Sequence, residues 1–397
     1  MNITEVIASL KSIANSPASL REDERKELLA SFDTLRVKLE TPFESSLRFV
    51  FAPHQSVALE IAVDMKLFDA SAALSAEKKE FTLHELVARM EGDVDPSLVL
   101  RIMRFLTSMA LFFEVGPQQY AALPLSHAYT TASPLSSCVV HMTSQNKIMA
   151  ALPSYFRERG YLSPDDAYNG PFQYAHQTPL HCFAWLATQP RLQDAFNIMM
   201  TLPRGDTPLK WFDIYPVTTK LAVASPDDVL LVDVGGGVGH DLIAFKSSFP
   251  DLEGGLVLQE LPVVVDSIPR LPTGIHVVSH DMFTTPPPAT FGARAYFLSN
   301  VLHDWPDKQA SIILANVKEA MAPDSVLLVS ENILPDWKVP IFNASADFVM
   351  MANFAALERT EGQYREFLEG AGFELVEVWK GEGVMDGRRL LEAVLKR

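Results

Sequence analysis

The residues best suited to chemistry follow apolar runs in the second half of the chain. Asp233 lies in VDVGGGVG, Glu260 ends GGLVLQE and His303 lies in NVLHDWPD. Glycines permit a tight turn and close approach of a ligand, and the next helix presents free N–H groups. An acidic residue about 20 positions further on can accept hydrogen bonds from ribose hydroxyls. These signals favour a nucleotide-type site; a tight turn and a solvated carboxylate are the alternative interpretation.

His303 is the candidate general base, because an imidazole has an ordinary pKa of about 6.5 and can exchange protons near neutral pH. Glu331 ends LLVSEN and Glu358 lies in LERTEGQ. Either carboxylate could accept a hydrogen bond from the far ring nitrogen, fix the tautomer and stabilise the charged ring. A structural role for His303 stays open. So does a helix-start role for Glu358, since Thr360 nearby is a suitable cap.

A third candidate group follows the run IHVVSH. Asp281, Met282 and Phe283 could offer one carboxylate and two apolar surfaces to an adenine ring, although Met and Phe side chains more often pack in a core. From residue 228 onward, short apolar runs alternate with helical patterns, which predicts a doubly wound α/β sheet. Ligands bind such sheets at the carboxyl ends of the strands, where all of these residues fall.

The first 200 residues show helical periodicity, and Thr82 with Glu85 fits a capping box. The short strand-like segments LFFEVG and QYAAL follow a helix, as in a winged-helix unit. Such units often bind DNA, but 49 acidic against 33 basic residues give a net charge of −16, which disfavours nucleic acid. A role in dimerisation is the alternative. A length of 397 residues predicts two domains.

Cysteine and histidine usage indicates neither a disulfide framework nor a metal site. The chain has two cysteines, Cys138 and Cys182, and the histidines of the first half form no HxxxH pair with an acidic partner. One of these histidines could nevertheless reach the pocket from the first domain; they are His127, His141, His176 and His181. We find neither a signal peptide nor a membrane-spanning run and expect a soluble, cytoplasmic protein.

Taken in order, several motifs resemble the plant-type, caffeate-like O-methyltransferase family as it occurs in fungi. They are DVGGGVGHDLIAF, LVLQELP, SHDMF, VLHDWPD, SENILP and LERTEGQYREFLEGAGF. The resemblance implies a class I S-adenosylmethionine-binding (Rossmann-like) domain over 206–397. It also implies a helical, winged-helix-like domain for dimerisation and substrate capping over 1–205, and a homodimer. The implied reaction is metal-independent methyl transfer to a hydroxyl of a small aromatic or polyketide substrate.

The resemblance also implies roles for individual residues. His303 would be the base, with Glu331 and Glu358 beside it, and Met350 and Asn353 would contact the substrate. Glu260 would hold the ribose, and Asp281 and Met282 the adenine. The remaining cofactor residues would come from the glycine turn: Asp233, Gly235, Gly236, Gly237 and Gly239.

Three departures from the family pattern keep other functions open. Ser299 stands in the cofactor site where the family usually has Lys or Arg, which removes a partner for the cofactor carboxylate, and Glu260 replaces a shorter Asp. Trp337, Lys338 and Val339 replace small residues. Lys338 is either solvated or directed at a substrate carbonyl. The second option would suit the pericyclase branch of the family, which acts on pyridone alkaloid precursors with S-adenosylmethionine bound. A regulator or scaffold without catalytic activity is the third reading.

Overall fold

The computed structural model describes residues 2–15, 20–202, 210–266, 268, 271–381 and 387–397. The chain forms two compact units, Met1–Val139 and Val140–Arg397. The domain boundary predicted at 205 lies outside the described residues and stays a prediction. Among the residues described, no helix combines the length and apolar character needed to cross a membrane.

The first unit is helical and ends in a small antiparallel sheet of order β1-β3-β2. The two strand-like segments of the sequence form β2 and β3, and the capping box at Thr82 is confirmed: the Glu85 carboxylate accepts from Thr82 N at 2.8 Å. The elements are α1 Ile3–Asn15, α2 Glu22–Leu39, α3 Pro42–Asp64, α4 Leu67–Glu77, β1 Phe81–Thr82, α5 Leu83–Arg89, α6 Pro96–Ser108, β2 Phe112–Gly116, β3 Gln119–Ala122 and, across the unit boundary, α7 Pro134–Ser144.

The second unit begins with helices that precede its sheet. Ile148, Leu152 and Phe172 from these helices form an apolar cluster with Ala352, which lies on a helix far along the chain. The cluster therefore ties the early helices to the later half of the same unit. The helices are α8 Asn146–Arg159, α9 Pro171–His176, α10 Cys182–Leu186, α11 Pro190–Thr201, α12 Trp211–Ile214 and α13 Val217–Lys220.

Within the described residues, seven strands form the large sheet, in the order β6-β5-β4-β7-β8-β10-β9. Strands β4 to β8 pair in parallel, as their alternation with helices predicts, but β10 runs antiparallel to β8 and β9. Residues 380–387 are too few for a crossover between β9 and β10, so this pair must reverse. The strands are β4 Val229–Val234, β5 Gly255–Glu260, β6 Ile275–Ser279, β7 Ala295–Ser299, β8 Val326–Asn332, β9 Phe373–Trp379 and β10 Arg388–Leu395.

Both faces of the sheet are covered. Val232 and Val234 of β4 belong to one apolar cluster and Leu231 to the other, which explains the near-continuous apolar run of this strand. The helices that follow β4 are α14 His240–Ser248, α15 Pro262–Val265, α16 Asp307–Ala320, α17 Ile341–Phe354 and α18 Glu361–Gly370, of which α17 packs on α8 and α9. Because β4, β5, β7 and β8 are parallel, the candidate residues at their carboxyl ends share one edge.

Candidate active site

The glycine turn between β4 and α14 requires glycine at four positions for two reasons. Gly235, Gly237 and Gly239 have φ of +71°, +58° and +83°, a backbone region that other residues rarely adopt. Gly236 has no such angle, but a Cβ there would lie 2.4 Å from Asp233 Oδ2 and 2.6 Å from Leu258 Cδ1. The turn therefore lies directly against the Asp233 carboxyl group.

Asp233 is buried under this turn, and within the described part of the chain neither of its carboxylate oxygens has a hydrogen-bond partner. Burial raises the pKa of Asp233 well above its ordinary value, and the charges of Asp241 and Glu260 raise it further. A buried polar group without a partner is costly. The turn thus fits a ligand that carries positive charge and hydrogen-bond donors.

Glu260 and the end of β6 border the same turn. Glu260 Oε2 accepts from Gly237 N at 3.0 Å and Oε1 from Leu261 N at 2.7 Å, while burial raises the pKa of Glu260. The longer side chain therefore reaches the backbone of the turn. Met282 Sδ lies 3.9 Å from the position of a Cβ on Gly235, and exposed Asp281 accepts from the backbone N–H of Phe283. Of the two predicted adenine residues, Met282 is thus brought to the turn, and Asp281 precedes it in the same loop.

His303 lies on a 3₁₀ turn, Leu302–Asp304, that follows β7. Its Nδ1 is 3.0 Å from Glu358 Oε1, and its Nε2 is 3.6 Å from Asp304 Oδ1. Burial lowers the pKa of His303, but the carboxylates of Asp304, Glu331 and Glu358 outweigh it and raise the pKa to about 10. The three carboxylates therefore favour the charged, imidazolium form of the ring.

Glu331 positions the turn rather than the ring. It is fully buried, and its Oε1 accepts from Val301 N at 3.1 Å and from Leu302 N at 2.9 Å. Of the two carboxylates proposed as partners of the far ring nitrogen, Glu358 is the one that the structure places there. Glu331 acts on His303 through its charge and through the backbone that carries the ring.

Arg359 is a site residue that sequence reasoning missed. Its buried guanidinium donates to Leu302 O at 2.9 Å, to Trp305 O at 3.1 Å and to Asp307 Oδ1 at 2.6 Å. It therefore holds both ends of the turn that carries His303. The signal available in the sequence was its position beside Glu358 in LERTEGQ.

A cation stands beside Ser299, although the family's usual Lys or Arg is missing there. Arg388 on β10 donates from Nη2 to Ser299 Oγ at 3.0 Å and from Nε to Ser330 Oγ at 3.2 Å. Positive charge at this strand end thus comes from β10, which lies two strands away from β7 in the sheet. The sequence alone does not reveal this, because strand order brings the residues together.

The predicted substrate residues fall in two environments. Met350 and buried Asn353 lie on α17, which packs against the His303 turn, and Asn353 Nδ2 donates to Val349 O at 3.0 Å. Lys338 lies on the exposed segment before α17, with its Nζ 4.2 Å from the centroid of the Trp337 ring. A role of Lys338 toward a substrate carbonyl stays a prediction.

Comparison with known proteins identifies the family. Residues 215–374 match the model of the O-methyltransferase domain, and residues 47–132 match that of the O-methyltransferase dimerisation domain. The O-methyltransferase penC of Penicillium thymicola is 32% identical over 92% of this chain and 92% of its own length. The chain belongs to the fungal plant-type O-methyltransferase family. Another relative is the demethylsterigmatocystin 6-O-methyltransferase of Aspergillus parasiticus, 28% identical over 89% of both chains.

Solved structures of the same fold include a complex with S-adenosylmethionine and a pericyclic reaction enzyme. LepI in complex with S-adenosylmethionine has a TM-score of 0.83 at 27% identity over the full length of both chains. A pericyclic reaction enzyme has a TM-score of 0.82, also at 27% identity, covering 99% of this chain and all of its own. The fold is therefore that of class I methyltransferases, with its mixed sheet and helical N-terminal dimerisation domain. The cofactor of the family is S-adenosylmethionine.

Proposed function

We propose that this protein transfers a methyl group from S-adenosylmethionine to a hydroxyl of a small aromatic or polyketide substrate, in fungal-type secondary metabolism. The observation that carries the proposal is the His303–Glu358 pair at 3.0 Å, at the strand edge that also bears the glycine turn. A base held by a carboxylate beside a cofactor turn is the equipment that this reaction needs. The names of the relatives support the same reaction class.

The residues around the turn suit this cofactor. Its sulfonium and ammonium groups would favour the charged forms of Asp233 and Glu260, whose pKa values are raised, and its N–H donors could meet the unpartnered Asp233 oxygens. Asp281 and Met282 would receive the adenine. When bound, S-adenosylmethionine supplies an electrophilic methyl group.

His303 would then act as general base. Neutral imidazole accepts the proton of the substrate hydroxyl at Nε2, while Glu358 accepts the Nδ1–H bond and stabilises the imidazolium that forms. A positive ligand beside the ring disfavours the imidazolium, so we expect the cofactor to lower the pKa of His303 from about 10. General base catalysis contributes about 10²–10⁴ in rate, and alignment of the reacting atoms as much as about 7–11 kcal/mol.

The proposal is tested with methyl-labelled S-adenosylmethionine and a panel of phenols and aromatic polyketides. We expect label in the product and one S-adenosylhomocysteine per turnover. The His303→Ala variant should lose orders of magnitude in kcat and still bind S-adenosylhomocysteine in calorimetry. The matched control is His276→Ala, on the exposed side of β6. Unchanged turnover in His303→Ala would remove the base assignment.

A pericyclase is the second candidate. Two observations favour it: the likeness to the pericyclic reaction enzyme, and the carboxylates around His303, which favour a charged ring able to polarise a substrate carbonyl. In this reading, Lys338 would supply a second cation. Conversion of a pyridone alkaloid precursor by cofactor-saturated protein, without S-adenosylhomocysteine, would support it. Stoichiometric S-adenosylhomocysteine would exclude it, and Lys338→Ala should alter rate or product ratio only under this reading.

We also propose a homodimer. The helices α2 and α3 expose large apolar side chains, with Leu39 72%, Phe43 71% and Phe49 66% exposed, and the dimerisation model begins at residue 47. Large exposed apolar side chains on two consecutive helices favour an interface. Light scattering after gel filtration should give twice the mass of the 44.0 kDa chain, and a monomer at micromolar concentration would contradict the proposal.

A further inference from the structure

His181 lies in an aromatic cluster that neither the cofactor nor the base requires. Its ring stacks on Trp305 with centroids 4.4 Å apart and planes at 13°. Tyr168, Phe183 and Phe354 surround it at centroid distances of 5.6, 5.4 and 5.8 Å. The side chain is 94% buried by this packing, since its exposed fraction is 6%. The ring is therefore held in one orientation.

The hydrogen-bonding state of this ring follows from its contacts. Nδ1 accepts from Phe183 N at 3.4 Å, at the start of α10, and burial lowers the pKa of His181 to about 4. The ring is thus neutral, and its single proton lies on Nε2. Within the described residues, buried Nε2 has no hydrogen-bond partner. His181 therefore holds an N–H donor that lacks an acceptor.

The His181 ring packs against residues next to those assigned to the base and to the substrate. Its stacking partner Trp305 is two residues from His303, and Phe354 directly follows Asn353 on α17. Cys182 provides a further link, because burial and the charge of Asp304 raise the pKa of its thiol. The segment that carries His181 thus meets both the His303 turn and the helix assigned to the substrate.

We propose that His181 Nε2–H donates a hydrogen bond to a carbonyl oxygen of an aromatic substrate and thereby selects phenols that carry a ketone. The proposal rests on the proposed function for the identity of the site. The surrounding rings favour a flat aromatic ligand. A buried donor without an acceptor is costly, so a substrate that supplies the acceptor binds with an advantage over one that does not.

The test compares 2,4-dihydroxyacetophenone, which has the ketone, with resorcinol, which lacks it. His181→Phe keeps the ring and removes the donor; His181→Gln keeps an N–H donor near the Nε2 position. Binding to protein saturated with S-adenosylhomocysteine is followed by calorimetry. For His181→Phe we expect about 3- to 10-fold weaker binding of the ketone, the loss of one neutral hydrogen bond, and a change below about twofold for resorcinol. His181→Gln should restore most of the loss.

Each other outcome contradicts the inference. If His181→Phe weakens the binding of both probes equally, His181 contributes only packing. If the variant binds S-adenosylhomocysteine more weakly, the N–H group donates to the adenine instead of the substrate. Failure of the wild-type protein to prefer the ketone would also overturn it. Methyl transfer is measured separately with labelled cofactor. If the ketone preference depends on His181 but no methyl is transferred, the proposed function fails and the assignment of the donor stands.

Discussion

Replacement of Glu358 by Gln tests whether the carboxylate at His303 Nδ1 works as the site geometry implies. The change keeps the size of the side chain and removes one negative charge 3.0 Å from the ring nitrogen. Hydrogen bonds to charged groups contribute about 1.5–3 kcal/mol, and about 1.4 kcal/mol corresponds to tenfold. We therefore expect kcat to fall about 10- to 100-fold, with the affinity for S-adenosylhomocysteine unchanged.

The pH dependence gives a second, independent readout. A base acts in its neutral form, so kcat should rise with pH through the pKa of His303. Glu358 is one of the carboxylates that raise this pKa, and its neutralisation should lower the pKa and move the rising limb to lower pH. Labelled methyl transfer at saturating substrate, measured from pH 6 to 10, records both the plateau and the limb.

The matched control is Glu361→Gln, three residues further on. Glu361 is a partly exposed carboxylate on α18 that pairs with Arg365 and Lys380. It should leave both the plateau and the limb unchanged. If Glu358→Gln retains the wild-type kcat and the wild-type limb, the carboxylate neither orients nor stabilises the ring, and the base mechanism loses its support.

Three further predictions concern the remaining parts of the site. Gly236→Ala places a methyl group against Asp233 Oδ2 and Leu258 Cδ1 and should weaken S-adenosylhomocysteine binding at least about tenfold. At Gly237 a Cβ meets nothing within 4 Å, so Gly237→Ala should add backbone strain of about 1–3 kcal/mol, seen as a lower Tm, and weaken binding less than Gly236→Ala does. Arg359→Lys keeps the positive charge but removes the planar guanidinium, so the carbonyls of the His303 turn lose donors worth about 1–3 kcal/mol each. We expect a lower Tm in calorimetry and a lower kcat. An unchanged kcat would show that the turn does not depend on the guanidinium. Binding of S-adenosylmethionine near pH 8.5 should release protons, because its sulfonium lowers the raised pKa of His303. S-adenosylhomocysteine, whose sulfur is neutral, should release fewer protons. Calorimetry in buffers of different ionisation enthalpy measures the protons released by each ligand, and equal numbers for the two ligands would contradict this prediction.

The sequence predicted what depends on position along a strand. The glycine turn, Glu260, Asp281 and His303 all follow parallel strands, and strand direction alone brings such residues to one edge. The antiparallel pairing of β9 and β10 was harder to predict from the sequence, because the apolar pattern of a strand does not show its direction in the sheet.

The sequence could not predict what depends on contacts between distant segments. Arg359 and Arg388 reach their partners across 57 and 89 residues, and the two glutamates differ in role because one meets backbone N–H groups and the other the ring. Even between adjacent residues, the sequence does not show that the Lys338 ammonium lies over the Trp337 ring. Residue type and spacing leave such choices open.

The neighbouring residues Glu358 and Arg359 hold the His303 turn by two separate contacts, the first through the imidazole ring and the second through the backbone carbonyls. A single local unfolding of that short segment would break both contacts at once, even while the large sheet stayed folded. On heating, activity should therefore be lost at a lower temperature than the Tm of the whole protein. The difference between those two temperatures would measure the local stability of the Glu358–Arg359 segment.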